Sequence, residues 1–167
     1  MRIFILMGLF FTSACGFSPL YRTNETKTTD LTAQIAIQPI ANYDGYLMEN
    51  YLNDGLNLSK INDTKTYVLS VSLNDPVISE QNIQNDNFSS RDRMTLTAEY
   101  SLKNIKTNEV VIKTTTSATS AYNIAIEPYA TWSAQKKVQE NLIKMLADRI
   151  TLHVISFVQK KEVENEG

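Results

Sequence analysis

The stretch Tyr67-Val68-Leu69-Ser70-Val71-Ser72-Leu73 decides the fold, because large apolar side chains at every second position alternate with Ser70 and Ser72. Period-two alternation of this kind, broken only by Val68, is the mark of a strand with one face on a core and one face on water. The same pattern returns downstream, where Met94, Leu96, Ala98, Tyr100 and Leu102 alternate with Thr95, Thr97, Glu99 and Ser101. After a turn at residues 104–108, Val110, Ile112 and Thr114 begin a partner strand, so this pair predicts an antiparallel hairpin. Between the two patterns, residues 75–90 are asparagine-rich and carry no clear period, which predicts a long loop.

Upstream of the deciding strand, Ile35 and Ile37 alternate with Gln34 and Gln38 until Pro39, a short strand closed by proline. The period then changes. Leu47, Tyr51 and Leu56, flanked by Met48 and Leu52, recur at helical spacing and predict a helix over residues 44–58 with Asp44 as its N-cap. Near the C-terminus, Pro128 stands where a helix can begin, since its missing N–H costs nothing in the first turn. Ala130, Ala134, Val138, Leu142, Met145, Leu146, Ile150, Val154 and Phe157 follow at spacings of three and four, opposed by Lys136, Lys137, Glu140, Lys144 and Asp148. A helix of that extent is about 45 Å long at 1.5 Å per residue, more than a short strand can cover, so part of it overhangs. Residues 160–167 read as a charged tail.

The element order is therefore β-α-β-β-β-α. It predicts an α/β fold of the α+β kind, a two-layer sandwich with a four-stranded sheet and two helices on one face, over a single domain of residues 33–159. The other sheet face is polar, with Ser70, Ser72, Thr95, Thr97 and residues 113–117 on it.

The N-terminus carries a different message. Arg2 is followed by an apolar run over residues 3–11, then by Thr12, Ser13 and Ala14, and then by Cys15, the single cysteine of the chain. The run is too short to span a bilayer, which takes roughly 20 apolar residues in a helix. Basic start, short apolar run and small residues describe a signal peptide over residues 1–14. A lone cysteine forms no internal disulfide. Its place directly after Ser13-Ala14 resembles the lipobox of bacterial lipoproteins, in which the cysteine becomes the first residue of the mature chain and carries acyl groups. Thr12 departs from that pattern, which usually has leucine there; the alternative is an ordinary secretory signal followed by a buried thiol. Several acyl chains at Cys15 would hold the protein to its membrane stably, where one chain alone binds marginally. Lipoproteins kept in the inner membrane typically have aspartate after the cysteine; Gly16 and Phe17 stand here, so the resemblance points to the outer membrane. Residues 15–32 then form a polar, threonine-rich tether with an apolar start at Phe17, Pro19, Leu20 and Tyr21. With no core to bury them, these four side chains are candidates for contact with a partner wall or a membrane interface.

Composition narrows the function. The chain is 43% hydrophobic and 20% charged with a formal net charge of −2. Such a chain is globular and carries no field that would draw nucleic acid. Five glycines in no phosphate-cradling pattern give nucleotide binding no support. His153, the one histidine, reads as a packed or surface residue of the long helix; no GxSxG elbow occurs, and a pair such as Asp86 with Asp92 is unspecific. No catalytic residue, metal site or dissociable cofactor is expected, and the protein is expected not to be an enzyme.

Two clusters remain. Arg91 and Arg93 alternate at the opening of a strand and project together; guanidinium groups bind phosphate in bidentate fashion, though basic residues at this place also protect sheet edges or pair with Asp92 or Glu99. Tyr122, Tyr129 and Trp132 gather before the long helix, either to anchor a partner or to close the end of the core.

Short motifs of the chain resemble those of one family. Ala14-Cys15-Gly16-Phe17-Ser18-Pro19-Leu20-Tyr21, Ser120-Ala121-Tyr122-Asn123-Ile124, Tyr129-Ala130-Thr131 and Leu146-Ala147-Asp148-Arg149-Ile150 occur in the order found in the LPS-assembly lipoproteins of the LptE family, especially its alphaproteobacterial branch. Asn108 stands where the hairpin turn of that branch often has glycine, and asparagine tolerates the left-handed conformation such a turn can require. The resemblance implies two helices on a four-stranded sheet. It also implies a lipoprotein on the periplasmic side of the outer membrane that sits in the lumen of a large β-barrel, the LPS translocon LptD, helps it assemble, and contacts lipopolysaccharide, with Arg91 and Arg93 as candidate contacts. A lipid-anchored adaptor of another envelope complex, in secretion, pilus or barrel assembly, is the alternative. Replacing Cys15 by serine should abolish acylation, read as the mass of the N-terminal peptide; a lipid that persists on Cys15→Ser would remove the anchor.

Overall fold

The computed structural model describes residues 34–56, 65–83 and 89–166. In chain order these form β1 (Ile35–Ile37), α1 (Asn42–Gly55), β2 (Tyr67–Leu73), β3 (Val77–Ile83), β4 (Ser89–Asn104), β5 (Val110–Asn123) and α2 (Pro128–Glu166). The leader, Cys15, Phe17, Leu20, Tyr21 and the rest of the tether lie outside the described residues, as does Asp86.

The sheet is mixed and is organised on β4. One edge of β4 pairs along its length with β5, antiparallel, from Arg91 opposite Asn123 to Lys103 opposite Val110. The other edge takes two partners in series: β2 pairs with its C-terminal half, Leu73 opposite Ala98, and β3 with its N-terminal half, Val77 opposite Thr95. Short β1 runs parallel to β2 through α1, a β-α-β crossover.

The expected four-strand sheet is thus a five-strand one, and of the expected loop over residues 75–90, Val77–Ile83 and residues 89–90 are strand. β3 continues β2 after a break at Asn74, Asp75 and Pro76. Those three residues span the interval that Leu96 and Thr97 span on β4, while the Asn74 N–H still donates to the Thr97 carbonyl at 3.0 Å. One extra residue on one strand is a β-bulge, and Pro76, without an N–H, suits it. The bulge inverts the phase: Leu69 faces the helices at an odd position, Ile78 at an even one opposite buried Met94. Residues 77–80 are all exposed, so the first half of β3 has no buried side chain to write a period into the sequence.

Both helices cover the same face. Leu69, Met94, Leu96, Ala98, Tyr100, Leu102, Ile112, Ala118 and Tyr122 of the sheet pack with Met48, Leu52 and Leu56 and with the α2 residues Leu142, Ile143, Leu146, Ile150 and Val154. The stripe on α2 is wider than a single seam because it meets both sheet and helix. Gln139 donates to the Asp44 carboxylate, and Thr151 lies against Gly55, where a Cβ on Gly55 would sit 2.9 Å from the Thr151 hydroxyl. Met145, placed in the stripe by spacing, stands on its exposed side while Ile143 is buried.

Two termini differ from expectation. The N-cap of α1 is Ala41, without a side-chain hydrogen bond, and Asn42 begins the helix at a φ of 72°. Asp44 is in the first turn, held by Gln139 rather than capping. At the other end, α2 runs past Gln159 to Glu166, so residues 160–166 are helix and not tail. Lysine and glutamate are good helix formers, and the Lys161–Glu164 pair at 3.3 Å supports the last turns. At 1.5 Å per residue α2 is about 58 Å long, and its buried residues lie between Gln139 and Val158. It is not apolar enough to cross a membrane, and neither is any other helix among the described residues.

The β4–β5 turn takes the geometry its asparagines allow. Asn104 Oδ1 accepts from the N–H groups of Lys106 and Thr107, the Asn104 N–H donates to the Glu109 carbonyl, and Asn108 adopts a φ of 60°. Only glycine and, with little strain, asparagine or aspartate visit that region. Asn108→Val should lower unfolding stability by about 1–2 kcal/mol while Asn108→Gly leaves it nearly unchanged; equal denaturant midpoints for the two variants would contradict this turn geometry.

Candidate functional site

Because β4 alternates strictly, its even residues enter the core and its odd residues form the helix-free face. Arg91 and Arg93 are exposed on that face, in line with Thr95, Thr97, Glu99 and Ser101. Gln81, opposite Arg91 on β3, directs its carbonyl oxygen to the Arg93 guanidinium, Nε at 3.0 Å. Thr95 and Thr119 share a cross-strand hydroxyl hydrogen bond of 3.0 Å beside them. Asp92 points to the opposite face, where it accepts from the Tyr122 hydroxyl at 3.3 Å. Further along the helix-free face, Ser70, Ser72, Glu99, Ser101, Lys113 and Thr115 line an open groove of about 530 Å³. The face is a plane of hydroxyls with arginines at one end and Lys113 in the groove.

The aromatic cluster divides. Tyr122 is buried, only 6% exposed, and closes the end of the core. Tyr129 and Trp132 are on the first turns of α2, 76% and 53% exposed, with their rings stacked at 5.8 Å. Thr131 fixes the approach to this helix by accepting from Ala125 N–H at 2.9 Å and donating to the Ala125 carbonyl. Ile126 is fully exposed in the same connection. Sequence reading did not select Ile126, nor Tyr43 and Tyr46, which are exposed at the N-terminal end of α1. The available signal was their position off the apolar stripes.

His153 is tied to the sheet: its Nδ1 lies 2.7 Å from the Tyr100 hydroxyl, and the two rings meet edge to face. Burial raises the Tyr100 phenol pKa. Burial also raises that of Tyr122, helped by the charge of Asp92 and by its hydrogen bond. Both phenols therefore keep their protons in the folded state at pH values where the unfolded chain, with phenol pKa near 10, releases them. Their contribution to stability is complete below about pH 10 and is lost as pH rises through the folded-state values.

The architecture, two helices on one face of an open mixed sheet, is that of several solved lipoproteins. A putative lipoprotein from Caulobacter crescentus superposes with a TM-score of 0.63 at 24% identity, covering 80% of this chain and 96% of that one. The rare lipoprotein B from Shewanella oneidensis gives a TM-score of 0.58 at 14% identity, covering 79% of this chain and 100% of that one. An uncharacterized lipoprotein B from Nitrosomonas europaea gives 0.58 at 9% identity, covering 75% and 82%. At these identities the likeness shows the fold. No curated protein matches the chain. Residues 32–154 match the LptE family, described as lipopolysaccharide-assembly, and the chain belongs to that family.

Alkaline titration of the phenol absorbance should contain components above pH 10 that Tyr100→Phe and Tyr122→Phe each remove, and Asp92→Asn should move the Tyr122 component down. A titration curve unchanged in all three variants would contradict the burial of these phenols.

Proposed function

We propose that the protein is an outer-membrane lipoprotein, acylated at Cys15 and facing the periplasm, that serves as plug and assembly partner of the β-barrel LptD. In this role it contacts lipopolysaccharide on its way to the outer leaflet. The observation that carries the reading is the family match over residues 32–154, nearly the whole described domain.

The surface supports it. Stacked, exposed Tyr129 and Trp132 with Ile126 present apolar area with polar tips, the kind of surface that anchors a protein partner. Arg91 and Arg93, side by side on the helix-free face, suit the phosphates of lipid A, and the hydroxyls of the neighbouring strands suit its sugars. Neither task requires bond making, and we assign the protein no catalytic step. The covalent lipid on Cys15 is the one attached group in this reading, and no nucleic acid is involved.

Mild-detergent purification of the full-length protein from its own membranes should recover one large outer-membrane barrel at equal ratio together with lipopolysaccharide. Arg91→Ala/Arg93→Ala should lower the co-purified lipopolysaccharide and leave the barrel ratio unchanged; Tyr129→Ala/Trp132→Ala should lower barrel recovery. Recovery alone, or with unrelated envelope proteins, would overturn the translocon reading in favour of an adaptor.

A further inference from the structure

β5 is an edge strand, and its phase decides which backbone groups face outward. It has one partner strand, β4. The Asn74 N–H donates to the Thr97 carbonyl, so the N–H and C=O of Thr97 point away from β5, and the Thr97–Ser117 pair exchanges no backbone hydrogen bonds. Alternation along the strand then turns the N–H and C=O groups of Ser117, Thr119, Ala121 and Asn123 to the open edge. Arg149 of α2 donates to the Ser117 carbonyl. Among the described residues, no backbone group meets those of Thr119, Ala121 and Asn123.

Edges of this kind are commonly guarded by lysine, proline or a covering element. Lys113 and Arg149 guard the middle of β5, yet residues 114–126 hold no charge, proline or glycine. The length from Ser117 to Asn123 is about 20 Å at ~3.3 Å per residue. It has a flank on the helix side. Thr131, Val138 and Met145 precede Arg149 at helical spacing, on the side of α2 that the Arg149–Ser117 contact places over the β5 edge. Met145 is 40% exposed there and Val138 is half-buried, an apolar wall, whereas Thr119 presents its hydroxyl on the helix-free side. A strand laid along Thr119 to Asn123 meets apolar atoms with one set of alternate side chains and hydroxyls with the other. Exposed Ile126, Tyr129 and Trp132 continue the surface past Asn123.

We infer that Thr119, Ala121 and Asn123 take an added strand: a short, uncharged, extended segment of the barrel chain, alternating apolar and polar residues, hydrogen-bonds to their N–H and C=O groups and ends where Arg149 occupies the Ser117 carbonyl. The inference rests on the barrel partnership proposed above and names the part of the domain that receives the barrel chain. In strand addition the main-chain hydrogen bonds supply affinity, and the surroundings of alternate side chains supply selectivity. Outer-membrane barrels are written in alternating apolar and polar residues, so the barrel chain carries segments of the required kind. Arg149 keeps the pairing short and prevents it from running on along β5.

Ala121→Pro tests this in the full-length lipoprotein. It removes an N–H that has no partner within the domain, and proline is tolerated at edge positions whose N–H faces solvent. Circular dichroism and the thermal midpoint should stay close to those of the unaltered protein while the barrel recovered with it falls severalfold; Ala121→Thr, which keeps the N–H, should leave recovery unchanged. A second readout needs no variant in the strand: in the purified complex the amides of Thr119, Ala121 and Asn123 should exchange severalfold more slowly than in the same protein freed of the barrel, and a photo-crosslinker at Met145 should join one segment of the barrel chain. Equal exchange in the two states, or full barrel recovery by Ala121→Pro, would overturn the strand addition and leave the translocon reading standing. Crosslinks to a second copy, or to residues 15–32 of the same chain, would overturn the assignment of this edge to the barrel. Unaltered protein that recovers no barrel would overturn the translocon reading and this inference with it.

Discussion

The rest of the structure depends on the alternation of β4. Of the sheet's strands only β1 does not pair with it, and its inward residues Met94, Leu96, Ala98, Tyr100 and Leu102 form the floor on which both helices rest. A slip of one residue against any partner would turn those side chains to solvent and bring Thr95, Thr97 and Glu99 inward. The fully buried leucines and isoleucines above that floor are each worth about 2–5 kcal/mol against alanine. Register is therefore held by the core along β2 and β5. Where the core ends, beyond Met94, the bulge at residues 74–76 shifts β3 with little penalty, since neither Val77 nor Ile78 is buried.

That same division explains what could be read from the sequence. Burial writes period two into Tyr67–Leu73 and Met94 to Leu102, and period 3.6 into α2 from Val138 to Val154, and each of these elements stands where its pattern placed it. β3 was illegible because its pairing is a matter of backbone hydrogen bonds, which leave no apolar signature. Residues 160–166 were illegible for a related reason: they continue a helix already nucleated by the packed turns before them, and a helix extends through lysine and glutamate without needing a buried face. Of the site residues, Arg91 and Arg93 share a face as their spacing requires. The separation of Tyr122 from Tyr129 and Trp132 depended on where β5 ends, which short motifs do not encode. Val110 was read as the opening of the partner strand and stands there, though half of it is exposed.

One face and two ends then have distinct chemistry on a single rigid frame. The helix-free face is hydroxylated with arginines at its edge, one end is aromatic, and the other carries the β4–β5 turn with Ile105 and Val110 exposed. Long α2 connects the ends, running back over the sheet from the aromatic turn, and Tyr100–His153 ties it to β4 while Gln139–Asp44 ties it to α1. The contact of the two helices at Gly55 leaves one imperfection: the Thr151 hydroxyl is buried there with no hydrogen-bond partner. A buried unpaired hydroxyl costs about 1–3 kcal/mol, so the packing of the two helices is tighter than their polar groups would choose.

A protein with so long an exposed strand has to prevent its edge from recruiting other strands, and β5 shows how this is arranged. Thr97 gives its carbonyl to Asn74, on the β2 side of β4. Its pair with Ser117 is therefore a non-hydrogen-bonded one, and Ser117 turns its carbonyl outward to the open edge. Arg149, reaching from α2, donates to that carbonyl. A guanidinium set across the middle of a 14-residue edge occupies an acceptor and places a charge where an incoming strand would have to lie. Lys113 adds a second charge on the same strand. The edge is thus closed to accidental pairing at its centre but remains open toward Asn123, next to the exposed aromatic end.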